Sequence, residues 1–173
     1  EVLNKEVSMM IKENDKLPNS EFVWFGKEGI EKVSLSKFTA LNKVVIFGLP
    51  GAFTPTCQSS HVPSFIRTKK RFEEIGINTI ICISVNDPHV LKAWGEITGA
   101  SAAGLIMLGD PESKFTRLIG MDFTAPDIGL IERSKRYAMY VEDQNVIVFN
   151  EEKSRGECTT SAGEGLLDSI TKL

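Results

Sequence analysis

VVIFGLPGAFTPTC, residues 44–57, is the stretch of sequence that decides the fold. Its first four residues are β-branched or aromatic, which is typical of a buried strand. A loop rich in Pro and Gly follows, and residues 65–75 then carry a more helical pattern. The sequence therefore predicts a strand that ends in a tight loop and delivers Cys57 to the start of a helix.

A cysteine at the start of a helix is a candidate nucleophile. The reactive form is the thiolate, and a free cysteine with the ordinary pKa of about 8.5 is only about 3 % ionised at pH 7. Unpaired amide N–H groups in a first helical turn favour the charged form of a nearby sulfur. Because ionisation of such a thiol is worth only ~2 kcal/mol, we expect other groups to orient the substrate and stabilise developing charge.

Two kinds of neighbour surround this cysteine in the sequence. Thr54 carries a hydroxyl that can donate to or accept from a substrate oxygen, while Pro50 and Pro55 stiffen the loop. His61 follows Cys57 by four residues, so a Cys–His pair or half of a metal site is conceivable, although no nearby motif supplies further partners. The structural alternatives are a buried, inert Cys57 and a Thr54 that only stabilises a turn.

Composition limits the class of protein. The chain has 173 residues, 42 % hydrophobic and 25 % charged, which suits one globular domain. A net charge of −3 gives no reason to expect nucleic acid or an anionic membrane as partner, and no apolar run approaches the ~20 residues that span a bilayer. The three cysteines form no C-x-x-C, which argues against a disulfide scaffold or structural zinc and favours a reducing compartment.

Residues 1–14 are predicted to be a poorly ordered N-terminal extension, and residues 15–173 a single domain. The first residues include acids and no apolar segment before a cleavage site, so they resemble neither a secretory signal nor an Arg-rich transit peptide. A cloning remnant and the remnant of a removed leader both stay open. We expect a cytoplasmic protein, with an organelle as the alternative if a leader has been removed.

The rest of the chain alternates strands and helices, which indicates an α/β fold. Asp87-Pro88 has the cap and first-position proline of a helix start. Predicted strands lie at residues 21–25, 44–48, 78–85 and 105–108, with a hairpin at 137–141 and 146–149. Short helices are expected within 33–38 and from 110 towards 118, an irregular segment over 120–129, and a closing helix over 161–173.

Pro50, Thr54 and Cys57 form P-x-x-x-T-x-x-C, and this stretch resembles the active site of the peroxiredoxin family. The eight residues PGAFTPTC, together with His61 and Pro63, are similar to the peroxiredoxin 5, or type II, branch. The resemblance runs from about residue 17 to the C-terminus. It implies a thioredoxin-like α/β fold with a central mixed β-sheet flanked by helices.

The resemblance assigns roles to particular residues. It implies that Cys57 is the peroxidatic cysteine, that Thr54 hydrogen-bonds the peroxide and that Pro50 shields the site. Residues 129–138 match the type II pattern G-x-x-x-R-S-x-R-Y-A, and Arg136 is the second arginine of that pattern. The resemblance therefore implies that Arg136 holds the thiolate. The alternative is a solvated basic run, and Arg133 is the second choice.

His61 and the remaining cysteines are less clearly placed by the resemblance. His61 is expected to pack or hydrogen-bond near the pocket without accepting the proton of Cys57. Cys82 and Cys158 are the candidates for a resolving cysteine, although an inert core thiol is the alternative for Cys82. Thr160 stands where animal peroxiredoxin 5 carries its resolving cysteine, so a mechanism with one essential cysteine is also implied.

The implied function is a thiol peroxidase that reduces hydrogen peroxide and alkyl hydroperoxides through a Cys57 sulfenic acid, in antioxidant defence. Glutathione with glutaredoxin, or thioredoxin, would recycle it, and no metal or other cofactor is implied. A homodimer with the Phe53 loop in its contact is expected.

The alternative function is that of a redox-sensing thiol protein with slow peroxide turnover. A thioredoxin-like reductase would need C-x-x-C, and a Cys-dependent hydrolase would need His61 to titrate with Cys57.

Overall fold

A mixed sheet of seven strands organises residues 9–173, the part of the chain that the computed structural model describes. In chain order the strands are β1 (Glu21–Gly26), β2 (Gly29–Ser34), β3 (Lys43–Leu49), β4 (Thr79–Ser84), β5 (Ile106–Gly109), β6 (Asp122–Ala125), β7 (Leu130–Ser134), β8 (Tyr137–Glu142) and β9 (Asn145–Glu151). The helices are α1 (Ser36–Thr39), α2 (Val62–Glu74), α3 (Pro88–Thr98), α4 (Lys114–Leu118) and α5 (Gly163–Thr171). Strands β6 and β7 pair as a separate hairpin.

Strand β3 lies near the middle of the sheet, whose order is β2-β1-β5-β4-β3-β8-β9. It is parallel to β4 and antiparallel to β8. Since successive side chains of a strand point to opposite faces, Val45 and Phe47 join the core beneath α2, α3 and α5, while Val44 and Ile46 join the opposite core with α4. The predicted mixed sheet flanked by helices is confirmed.

Three local expectations differ from the structure. Residues 33 and 34 belong to β2, so the short helix of that region is confined to Ser36–Thr39. The helix expected from Asp110 begins at Lys114, and the Asp110 carboxylate accepts from the amides of Phe115 and Thr116 in its first turn. Strand β6 lies within the segment expected to be irregular. These elements are short, and their apolar patterns are too brief to identify them.

The described part of the N-terminal segment packs on the domain. The amide of Met9 donates to the Leu118 carbonyl at 2.9 Å, and the amide of Ile11 donates to Ile119 at 3.2 Å. The Ile11 side chain is buried in the same core as α4. Packing therefore begins by Met9 rather than at residue 15, and residues 1–8 of the predicted extension lie outside the described residues.

Candidate active site

A strand, a loop and a π-helical turn place Cys57. Strand β3 ends at Leu49, and the turn Cys57–His61 leads directly into α2. In this turn the amide of Val62 donates to the Cys57 carbonyl, an i→i+5 bond of the kind that often occurs at functional sites. The Cys57 side chain is completely buried. The predicted order of strand, tight loop and helix is confirmed, with a π-helical turn where an ordinary first turn was expected.

Arg136 reaches Cys57 from the residue before β8. Its Nη2 lies 3.2 Å from Cys57 Sγ and also donates to the Arg155 carbonyl at 3.1 Å. The Arg136 side chain is buried. Because a guanidinium stays protonated, it keeps a permanent positive charge beside the sulfur. The structure thus brings together the two residues that the resemblance pairs.

His61 holds Arg136 rather than Cys57. Its Nδ1 lies 2.9 Å from Arg136 Nη1, and its Nε2 lies 3.0 Å from the Ser161 carbonyl. Since arginine can only donate, Nδ1 accepts and Nε2 carries the proton. Complete burial, followed by the charge of Arg136, holds the pKa of His61 well below its ordinary value, so the ring is neutral. Among residues 9–173 no group of three His, Cys, Asp or Glu side chains lies together as a metal site would require.

Glu152 organises the loop behind His61. Its Oε1 accepts from the amides of Thr159 and Ser161, at 2.6 and 2.9 Å, and from the Ser161 hydroxyl at 2.9 Å. Burial alone would raise the pKa of Glu152, but these hydrogen bonds outweigh it and lower the pKa. The amide of Glu152 donates to the Arg136 carbonyl at 2.9 Å. Glu152, Ser161, His61, Arg136 and Cys57 therefore form one hydrogen-bonded chain.

The loop before Cys57 is fixed from a second side by Arg133. Arg133 Nη1 donates to the Pro50 carbonyl at 3.0 Å, so this arginine holds the loop instead of the thiol. A Cβ on Gly51, whose φ is +155°, would lie 2.2 Å from that nitrogen, which explains the glycine. The Thr54 hydroxyl donates to the Gly51 carbonyl at 2.7 Å. Its lone pairs therefore remain free to accept a hydrogen bond from a substrate.

A cavity of about 340 Å³ opens onto Thr54 and Arg136. Its walls are largely apolar, and Arg155 stands at its rim. The other side chains that shape it are those of Pro50, Pro55, Thr56, Ile128 and Leu130. The cavity meets the two polar groups beside Cys57 and is large enough for a small organic molecule.

Neither of the other cysteines has an activating partner like that of Cys57. Cys82 lies on β4 opposite Phe47 and is completely buried, and this burial raises its pKa well above the ordinary value. Cys158 is half-buried between β9 and α5, and burial raises its pKa to about 11 despite the charge of Arg136. All three cysteines of the described residues are free thiols.

Comparison with known proteins shows which family the chain belongs to. The Redoxin family model matches residues 12–167. Peroxiredoxin-2C of Arabidopsis thaliana is 40 % identical over 90 % of this chain and 96 % of its own length. The chain belongs to the peroxiredoxin family. A crystal structure of reduced Prx3 from Vibrio vulnificus in complex with H₂O₂ matches with a TM-score of 0.86 and 34 % identity, over 93 % of this chain and 99 % of that one.

The peroxiredoxin comparisons also define the branch and the fold. Peroxiredoxin 5 from Alvinella pompejana matches with a TM-score of 0.82 and 28 % identity, over 94 % of this chain and 99 % of that one. The type II, or peroxiredoxin 5-like, branch and the thioredoxin-like fold are therefore confirmed. The protein is a thiol peroxidase, as the resemblance implied.

The comparisons leave the compartment open. One relative, from Oryza sativa subsp. japonica, is a chloroplastic peroxiredoxin-2E-2 that is 38 % identical over 90 % of this chain and 71 % of its own length. In the part of the chain that the structure describes, no helix combines the length and apolar character needed to cross a membrane.

Proposed function

We propose that Cys57 is the peroxidatic cysteine of this peroxiredoxin and that Arg136 and Thr54 hold the peroxide against it. The observation that carries the proposal is the 3.2 Å contact between Arg136 Nη2 and Cys57 Sγ. The Vibrio vulnificus relative is described in complex with H₂O₂, which supports hydrogen peroxide as a substrate here. The apolar cavity beside the site supports alkyl hydroperoxides as further substrates.

In the proposed first step the thiolate sulfur attacks the terminal oxygen of the peroxide. The O–O bond breaks, and the sulfur is oxidised by two electrons to a sulfenic acid. The remaining oxygen leaves as hydroxide or alkoxide and takes a proton from solvent to give water or alcohol. Arg136 donates to this oxygen as its negative charge grows, and Thr54 accepts from the peroxide hydroxyl. Pro50 forms part of the wall that shields the site.

We assign the reduction of the sulfenic acid to an external thiol, glutathione with glutaredoxin. The raised pKa values of Cys82 and Cys158 keep both thiols protonated at neutral pH, and a protonated thiol is a weak nucleophile. An external thiolate attacks the Cys57 sulfur, hydroxide leaves and is protonated to water, and a mixed disulfide forms. A second thiolate then takes the bound thiol and releases the Cys57 thiolate. Thioredoxin is the alternative reductant.

The proposed assembly is a homodimer that meets at the active-site end. Phe53, Ile128 and Ile131 are 47, 61 and 55 % exposed, and Ile128 also lines the cavity. The proposal places these exposed apolar side chains in the contact between the two copies. Sedimentation velocity tests this assembly, since Phe53→Asp should shift the protein to monomer.

A reducing compartment is the proposed location. The three free cysteines suit the cytoplasm, where thiols are kept reduced. The chloroplastic relative keeps an organelle as the alternative. Localisation of the fluorescently tagged full-length protein distinguishes the two.

Stopped-flow peroxide consumption followed by intact mass tests the catalytic proposal. Cys57→Ser should abolish the reaction with hydrogen peroxide, whereas Cys82→Ser and Cys158→Ser should still turn over with glutathione and glutaredoxin. If Cys57→Ser reacts as fast as the wild type, the proposal is wrong. Slow turnover by the wild type, with a stable oxidised Cys57, would favour the redox-sensing alternative.

If replacing either Cys82 or Cys158 stops turnover, that cysteine is the internal resolving residue. The decisive signs are loss of turnover with thioredoxin in Cys82→Ser or Cys158→Ser and disappearance of a two-hydrogen mass loss seen in the wild type. That result would replace glutathione by a disulfide cycle in the reductive half of the proposal.

A further inference from the structure

Arg155 stands at the rim of the cavity beside the thiol, and both its backbone and its side chain are held. Its carbonyl accepts from Arg136 Nη2, the same nitrogen that donates to Cys57 Sγ. Two successive hydrogen bonds therefore connect the Arg155 backbone to the sulfur. The guanidinium carbon of Arg155 lies 5.3 Å from the centre of the Phe123 ring. This ring contact favours one position of the side chain, which is exposed and also lines the cavity.

The charge of Arg155 is not balanced by a carboxylate of the protein. Arg155 takes part in none of the ion pairs found within residues 9–173. The nearby buried carboxylate, that of Glu152, is already occupied by Thr159 and Ser161. An aromatic ring attracts a cation without neutralising it, so the fork of donors on Arg155 remains available.

Arg155, like Arg136, lines two cavities of different character. On the thiol side the walls include Pro50, Ile128 and Leu130, which are apolar. On the other side is a cavity of about 350 Å³, where four cationic side chains face two carboxylates. The cations are Lys135, Arg136, Lys153 and Arg155, and the carboxylates are Glu151 and Glu152. This region is locally positive although the chain as a whole carries −3.

We propose that Arg155 binds a carboxylate of the small molecule that reacts at Cys57. The apolar wall accommodates the carbon chain of that molecule, and the planar guanidinium matches a carboxylate in two parallel hydrogen bonds. Two sources can supply this anion: an organic hydroperoxide that carries a carboxylate, or the carboxylates of glutathione. The inference rests on the proposed role of Cys57 and adds a specificity-determining residue to it.

The test compares acids with their esters. The substrates are a carboxylated alkyl hydroperoxide and its methyl ester, and, on the Cys57 sulfenic acid, glutathione and its diethyl ester. We expect Arg155→Gln to lower the acid-to-ester ratio of rate constants about tenfold in at least one pair, the lower end of what a hydrogen bond to a charged group contributes. Arg155→Glu should lower the ratio further. In the wild type the preference for the acid should weaken as salt is added.

Lys153→Gln is the matched control. This substitution removes one positive charge from the same loop. Because Lys153 lines only the second cavity, the acid-to-ester ratios should stay at their wild-type values. A fall confined to the hydroperoxide pair identifies the peroxide as the source of the carboxylate, and a fall confined to the glutathione pair identifies the reductant. Both results support the inference.

Unchanged ratios in both pairs for Arg155→Gln and Arg155→Glu would overturn the inference, as would an equal fall in Lys153→Gln. Failure of the proposed peroxidase function would give a different experimental result. In that case the wild type does not consume hydrogen peroxide, a substrate with no carboxylate.

Discussion

Cys57 and Cys82 lie in the same apolar core and are both completely buried, yet the groups around the two sulfurs differ. In the middle of β4, burial dominates around Cys82 and raises its pKa far above the ordinary value. At the end of the loop after β3, Cys57 has the guanidinium of Arg136 at 3.2 Å. The comparison shows that two equally buried thiols differ in their partners: burial dominates around Cys82, whereas a fixed positive charge lies beside Cys57.

The benefit of this pairing is mutual. A buried guanidinium is costly unless it is paired and hydrogen-bonded. Arg136 has three acceptors for its two terminal nitrogens: His61 Nδ1, the Arg155 carbonyl and Cys57 Sγ. Only the sulfur can carry a full negative charge, because His61 is neutral and the carbonyl is a dipole. A negative charge formed on the Cys57 sulfur would therefore stabilise the buried guanidinium and be stabilised by it.

Replacing Arg136 removes the positive charge that distinguishes Cys57 from Cys82, and it should have the largest effect on the rate of peroxide reduction. We expect Arg136→Met to lower the rate constant with hydrogen peroxide about 10²- to 10³-fold, as loss of a positioned oxyanion donor does. Stopped-flow kinetics with intact mass measures it. Arg117→Gln is the control, since Arg117 pairs with Glu132 at the surface. A loss below about tenfold in Arg136→Met would mean that another group activates Cys57.

Replacing His61 tests whether the arginine must be held. His61→Ala removes the acceptor of Arg136 Nη1, and we expect about a tenfold loss of peroxide reactivity, near the ~1.5 kcal/mol of one hydrogen bond to a charged group. The control is His89→Ala, the other of the two histidines of the chain. A loss of more than a hundredfold would transfer the activating role from Arg136 to His61.

The pH dependence of stability follows from the neutral His61. The unfolded chain, with an ordinary histidine pKa near 6.5, binds a proton that the folded protein does not, because burial and Arg136 lower the pKa of His61. The free energy of unfolding should therefore decrease as the pH falls from about 6.5 to 5, with a slope approaching about 1.4 kcal/mol per pH unit. Urea denaturation measures it.

A variant isolates this contribution. His61→Gln should flatten the slope between about pH 5 and 6.5, whereas His89→Gln should keep it. The lowered pKa values of Glu152 and Glu164 add a loss of stability in the same direction only at lower pH, below their ordinary value of 4.5. A slope that persists in His61→Gln would show that another group titrates in this range.

The sequence predicts the fold well because its long elements are strongly patterned. The run of β-branched and aromatic residues in β3 and β4, the Asp87 cap and the hairpin of β8 and β9 each carry a local signal. Asp87 indeed accepts from the amide of Val90. Strands β2, β6 and β7 escape prediction because they are short and largely exposed, so no apolar period marks them.

The candidate site divides in the same way. Pro50, Thr54 and Cys57 lie within eight residues, so a local motif identifies them, and Arg136 is found only through its family pattern. Nothing local indicates Glu152, whose neighbours in the sequence are charged. Its role exists only because the fold brings Ser161 within 3.0 Å of His61, a hydrogen bond between residues 100 positions apart. Such contacts depend on tertiary structure, which propensity and spacing do not encode.

Replacing Cys82 should have the smallest effect on peroxide reactivity, and it tests whether this buried thiol is inert. Cys82→Ala removes a buried sulfur, and we expect a loss of about 1 kcal/mol in the free energy of unfolding. The rate constant with hydrogen peroxide should stay within about twofold of the wild type, because burial outweighs the charge of Arg136 at Cys82 and keeps this thiol protonated. Urea denaturation and stopped-flow kinetics measure the two quantities. A large loss of peroxide reactivity with little loss of stability would mean that burial does not keep Cys82 inert, and the contrast between the two thiols would fail.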